Sequence, residues 1–164
     1  MQGKLLAALD RATPERMQSA IQQFDRAIAL DPQFADAWSR KVRAQLTSYW
    51  YGFSDVSSRD AAIVSMEQAR RLAPEAMETW LAQAYIYYWG SRDYDSAEAT
   101  LARFLERAPE LAEAWYARGL VARRDGRFDD CVKALRRSLE LDPLNTDIML
   151  EVANTLLSLG RDEE

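Results

Sequence analysis

Residues 115–143 read WYARGLVARRDGRFDDCVKALRRSLELDP, from Trp115 to Pro143. Apolar residues recur at helical spacing on both sides of Asp125-Gly126-Arg127, so the stretch reads as two amphipathic helices joined by a tight turn. A proline closes it. Similar segments end at Pro32 (AIALDP), Pro74 (ARRLAP) and Pro109 (LERAP), with successive spacings of 42, 35 and 34 residues up to Pro143. The last two spacings are a repeat period, and the first is that period with about eight residues inserted.

Six residues beyond each of the first three prolines stands a tryptophan, Trp38, Trp80 or Trp115; after Pro143 the place is held by Met149. A proline just past a helix end cannot continue the helix, so it sets the chain on a fixed path to the next one. Each second helix then carries a small residue followed four positions later by a bulky one. The pairs are Ala20 with Phe24, Ala62 with Met66, Ala97 with Leu101, and Cys131 with Leu135. That spacing puts both on one helical face, where the small residue admits a neighbouring helix. Three positions beyond come Ala27, Ala69, Phe104 and Ser138, of which Phe104 is the odd one.

This pattern resembles the tetratricopeptide repeat, a helix-turn-helix of 34 residues written W-x2-L-G-x2-Y, then A-x3-F, then P. Trp115, Gly119, Leu135 and Pro143 are in register, while Arg118, Ala122 and Cys131 depart from the favoured types. The copy from Met77 has Trp80, Ala84, Tyr87 and Ala97 with a one-residue insertion; the copy holding Trp38 has the long insertion. In the first copy only the second helix is clear, through Ala20, Phe24, Ala27 and Pro32. We therefore expect one all-α domain over 1–164, with repeats near 1–34, 35–76, 77–111 and 112–145 and a terminal helix at 146–160. Helices are expected near 3–11, 14–30, 34–51, 58–73, 75–90, 93–107, 110–125, 127–141 and 145–159. Thr13 and Pro14 are the N-cap and first-turn proline of the second. The resemblance implies a right-handed superhelical solenoid of antiparallel helix pairs, with the first helices lining its concave surface.

Composition narrows the functional classes. The chain has 164 residues, 29% charged and 48% hydrophobic, the balance of a folded protein. A net charge of −5 opposes binding to nucleic acid or anionic membrane, and neither is expected as a partner. There is no histidine, so the commonest general base and metal ligand is missing. The single cysteine, Cys131, allows no intrachain disulfide or multi-cysteine zinc site. It occupies a slot for a small side chain and reads as a buried thiol. Acidic neighbours such as Asp129 and Asp130 read as solvated helix faces, not an acid/base pair. No Gly-rich phosphate loop, transmembrane run or signal-peptide core is found. A non-catalytic, cytoplasmic protein without cofactor or metal is expected.

Residues one, five, eight and nine beyond each tryptophan slot share one helical face. They nominate a partner-binding lining of Arg43, Tyr85, Tyr88, Trp89, Tyr116, Leu120, Arg123, Arg124 and Asn154. Tyr, Trp and Arg bury much area per rotatable bond and dominate binding energy at interfaces. The expected partner is an extended peptide or a helix, with acidic residues facing the arginines. The alternative is that Tyr85, Tyr88 and Trp89 pack between repeats. The family's lysine-rich carboxylate clamp is not expected, because the leading slots are Ser39, Leu81, Tyr116 and Leu150.

The insertion SYWYGFSDVSSRD, 48–60, is either a binding knob or a lengthened helix whose aromatics stack on Tyr88 and Trp89. The terminal helix is apolar over much of its circumference through Met149, Val152, Leu156, Leu157 and Leu159. A capping helix should have a polar outer face, so a longer parent chain or a homo-oligomer through this helix is expected. The phrasing DPQFADAW, YYWGSRDYDSA and VARRDGRFDD is also similar to repeat regions of bacterial signalling proteins. That similarity implies a regulatory protein-interaction module, with a self-associating scaffold or a small-molecule sensor as alternatives.

Overall fold

The structure, a computed structural model, describes residues 12–160. The expected helix at 3–11 lies outside them. Among the described residues there are eight α-helices: α1 Pro14–Leu30, α2 Ala35–Trp50, α3 Val56–Leu72, α4 Met77–Tyr85, α5 Tyr94–Arg107, α6 Ala112–Arg124, α7 Phe128–Leu141 and α8 Thr146–Leu159. A π-helical segment, Ile86–Ser91, continues α4. The fold is all-α, built of antiparallel helix pairs. The chain divides into two compact units, residues 1–92 and 93–164.

The proline turns repeat closely. Four residues separate α1 from α2, α3 from α4, α5 from α6 and α7 from α8, with the proline second in each. At each turn the first residue's N–H bonds a carbonyl four back, as in Asp31 to Ala27 (2.9 Å) and Asp142 to Ser138 (3.0 Å). The fourth residue's N–H then bonds the first residue's carbonyl, as in Phe34 to Asp31 (3.1 Å) and Asn145 to Asp142 (3.2 Å). Proline fits the second place because its fixed φ suits that position of a turn and the missing N–H is not needed there. The recurring tryptophan closes the arrangement. Trp38 Nε1–H donates to the Pro32 carbonyl (3.1 Å), and Trp115 Nε1–H to that of Pro109 (2.8 Å). Each such bond contributes about 1 kcal/mol. Met149 cannot donate one.

Helix starts follow local chemistry. Thr13 Oγ1 accepts from the Arg16 N–H (3.2 Å) with Pro14 in the first turn, as the sequence predicts. Asp55 accepts from the Ser57 N–H (2.9 Å) and Asp93 from the Ser96 N–H (3.0 Å), capping α3 and α5. Each satisfies a donor that has no partner within its helix. The Asp55 cap lets α3 begin at Val56, two residues before the expected start.

In the first unit α2 packs on α1, α3 and α4. The eight-residue excess is shared out: α2 has 16 residues against 13 in α6, α3 has 17 against 14 in α7, and their turn has five against three. The insertion thus lengthens both helices and widens one turn. Buried hydrogen bonds pin these helices: Ser39 Oγ with Thr79 Oγ1 (3.3 Å) joins α2 to α4, and Ser65 Oγ to Gln45 Oε1 (3.0 Å) joins α3 to α2. The one-residue excess of the next repeat is absorbed differently. It is taken up by the π turn, which accommodates an extra residue inside a helix. Ser91 Oγ–H donates back to the Tyr87 carbonyl (3.1 Å) of that segment.

In the second unit α6 packs on α5 and α7, and α7 on α8. The face Cys131, Val132, Ala134, Leu135 and Ser138 of α7 is buried, and Asp129 and Asp130 in its first turn complement the helix dipole. Leu135 fills the space left by Gly119, where an added Cβ would lie 2.7 Å from Leu135 Cγ. Ser138 Oγ–H donates to the Ala112 carbonyl (2.7 Å), which gives the small slot a polar function.

Candidate interaction surfaces

The nominated residues fall in both units. In the first, Tyr85, Tyr88 and Trp89 are 1%, 2% and 8% exposed. Their rings form one cluster with Trp50 from the end of α2: Tyr85 to Trp89 is 4.7 Å between centroids, Tyr88 to Trp89 5.6 Å, Trp50 to Tyr88 5.5 Å and Trp50 to Trp89 6.1 Å. The π turn presents Tyr88 and Trp89 to this cluster, and the lengthened α2 brings Trp50 to it. Offset aromatic pairs of this kind add about 0.5–1.5 kcal/mol each beyond burial. Arg43 is exposed, with its guanidinium 5.3 Å from the Tyr85 ring centroid.

In the second unit Leu120 is buried and Tyr116 half-buried. Tyr116 and Val152 pack against the cluster of Ala122, Cys131 and Leu135. Arg123 forms an ion pair with Glu151, and its Nη1–H donates to Thr155 Oγ1 (3.2 Å). This ties the end of α6 to α8. Arg124 is exposed, and Asn154 is half-exposed on α8. On that helix Leu150 and Leu157 stand at 39% and 46% exposure, one turn before and about one turn after Asn154. Tyr116, Arg124, Leu150, Asn154 and Leu157 therefore keep accessible surface, whereas Tyr85, Tyr88, Trp89 and Leu120 are core.

Electrostatics give little sign of reactive chemistry. Burial pushes the Cys131 thiol up, against smaller opposing effects of Arg123 and a hydrogen bond with Thr155. The protonated form is the poor nucleophile. Glu98 lies between Arg118 (2.6 Å) and Arg127 (3.8 Å), and the Asp125 hydrogen bond (2.6 Å) is the main cause holding the Arg127 guanidinium above its ordinary value. No cluster of three or more metal-ligating side chains occurs among the described residues. No helix among them is long and apolar enough to cross a membrane.

The tetratricopeptide repeat family matches residues 86–143, from the π segment through the last proline turn. Those residues are a tetratricopeptide-repeat region. Its fold is similar to that of a thermophilic TPR protein from Thermus thermophilus, with TM-score 0.71 and 20% identity over 87% of this chain and 74% of that one. It is also similar to MamA from Desulfovibrio magneticus RS-1, with TM-score 0.58 and 15% identity over 96% and 82%. A BBSome complex member BBS4 homolog of Drosophila melanogaster is 26% identical over 93 residues, 57% of this chain. The chain spans 18% of the length of that relative. In this repeat region the register explains Trp115, Gly119, Leu135 and Pro143. It does not explain Arg92, which the periodic reading passed over. Arg92 has φ 57° where the other first helices end on Gly52, Gly126 and Gly160. The available signal was an arginine aligned with turn glycines.

Proposed function

We propose that this protein is a non-catalytic interaction module that binds a peptide or helix of a partner along the accessible faces of its first helices. Tetratricopeptide repeats imply a protein-protein interaction scaffold. The observation that carries the finer reading is the row Leu150, Asn154 and Leu157 on α8, an amide between two accessible leucines, with Tyr116 and Arg124 on α6. Apolar anchors flanking a group that can hydrogen-bond a peptide suit a partner segment better than a small molecule. Arg124 favours acidic residues in that segment. A role as the regulatory part of a larger bacterial protein belongs to the same reading, supported by the similarity of DPQFADAW and its neighbours to repeat regions of bacterial signalling proteins.

A variant combining Arg124→Ala and Asn154→Ala tests it by affinity capture from the source cell. The reading predicts loss of specific partners with circular dichroism and melting preserved. Unchanged recovery sinks it. A second reading, self-association, is favoured by the accessible Met149, Leu150 and Leu157 of α8. Light scattering of the wild type decides this: a concentration-dependent rise in mass supports it, and a strict monomer removes it.

A further inference from the structure

The helix α7 turns five side chains fully inward, Cys131, Val132, Ala134, Leu135 and Ser138. Among the described side chains of α8 only Ile148 and Thr155 are as deeply buried. Met149, Leu150 and Leu157 stay accessible, so much of the apolar surface of this helix does nothing to hold it in place.

What fastens α8 is polar. Arg123, near the end of α6, pairs with Glu151 and donates from Nη1 to Thr155 Oγ1 (3.2 Å), one turn further along α8. Thr155 also hydrogen-bonds the Cys131 thiol of α7, so three helices meet at one buried polar point. The Arg123 and Glu151 side chains are only 28% and 21% exposed. Loss of either partner therefore leaves a charge with little water to replace it. A helix with few apolar contacts and one such fastening belongs to the low-stability end of a structure, where segments leave their place while the rest stays folded. Cys131 lies directly beneath it. The thiol is fully buried, with Val152 of α8 packed against its cluster and Thr155 bonded to it.

We infer that α8 is a latched strap: it undocks in one piece from α6 and α7, which stay folded, and the contacts of Arg123 with Glu151 and Thr155 set how often it does so. Undocking separates Leu150, Asn154 and Leu157 from Tyr116 and Arg124. The latch thus governs whether the peptide-binding face is assembled. That consequence rests on the function proposed above, whereas the motion itself does not.

The single cysteine reports the motion, because α8 covers it. Alkylation by iodoacetamide, an uncharged reagent, is followed by mass spectrometry in native buffer and at low urea concentrations. Each rate is divided by that of the same variant unfolded in high urea, which removes differences in thiol reactivity. Wild-type labelling should depend on urea much less steeply than the loss of helix content measured by circular dichroism, since undocking exposes the surface of one helix only. Glu151→Gln should label about tenfold faster with helix content unchanged, as for loss of a charge-assisted hydrogen bond. Glu140→Gln, which breaks an exposed pair with Arg137 inside α7 (3.0 Å), should label like the wild type. A wild-type rate with the full urea dependence of unfolding would mean that α8 does not move alone. Equal rates in Glu151→Gln and the wild type, or equal acceleration by both variants, would mean that the latch does not control it. Each of these overturns the proposal. No partner enters the measurement, so failed partner capture leaves the strap standing, and the strap can fail with capture intact.

Discussion

A single hydrogen atom in place of a methyl group decides how closely α6 and α7 approach. A Cβ at residue 119 would meet Leu135 Cγ at 2.7 Å and Cδ2 at 2.8 Å, and Leu135 is almost fully buried, so it cannot swing away. Alanine gains about 1 kcal/mol over glycine in helix propensity, but overpacking a filled core costs about 1–3 kcal/mol. Steric conflict wins. Gly119→Ala should therefore lower stability by up to about 2 kcal/mol in urea denaturation. Combining it with Leu135→Ala should give a double variant more stable than the sum of the two single losses, because the new methyl occupies part of the cavity. Additive losses would place the clash elsewhere. At the same scale, the sequence left open whether Tyr85, Tyr88 and Trp89 line a binding face or pack between helices, and the structure buries them. Helical spacing assigns a residue to a face, but what covers that face depends on approaches such as the Ser39–Thr79 contact between α2 and α4, which join residues forty apart.

Elements were more legible than residues, because caps, proline turns and periodicity are local. The expected starts and ends of the helices agree with the observed ones to within about two residues. The exceptions are the places where the period is broken: the sequence reveals an extra residue after Trp80 but not that a π turn absorbs it. Two helix starts carry a pH dependence. The hydrogen bonds from Ser57 hold the Asp55 carboxyl below its ordinary value, as those from Ser96 do for Asp93. A carboxylate lowered on folding contributes stability that is fully present above the unfolded pKa and is lost as pH falls through the lowered folded value. The double variant Asp55→Asn with Asp93→Asn keeps the capping geometry but loses the charge, since asparagine caps about as well. Thermal melts across the acidic range should show a shallower loss of stability for this variant than for the wild type. Parallel curves would mean that these caps do not titrate as described.

At the scale of the molecule, the repeat separates structural from functional sequence. Trp38 and Trp115 bond their proline turns, Gly119 and Leu135 set a helix spacing, and Cys131 fills a small slot; the last three are buried. What remains is the accessible part of the first helices. Photo-crosslinking in the source cell addresses this division most directly. A photoreactive residue placed in turn at Arg43, Tyr116 and Asn154 should give discrete adducts to a partner protein. The same residue at the exposed second-helix positions Glu67 and Lys133 should give none. Adducts of equal yield at both sets of positions, or adducts confined to Glu67 and Lys133, would contradict the account.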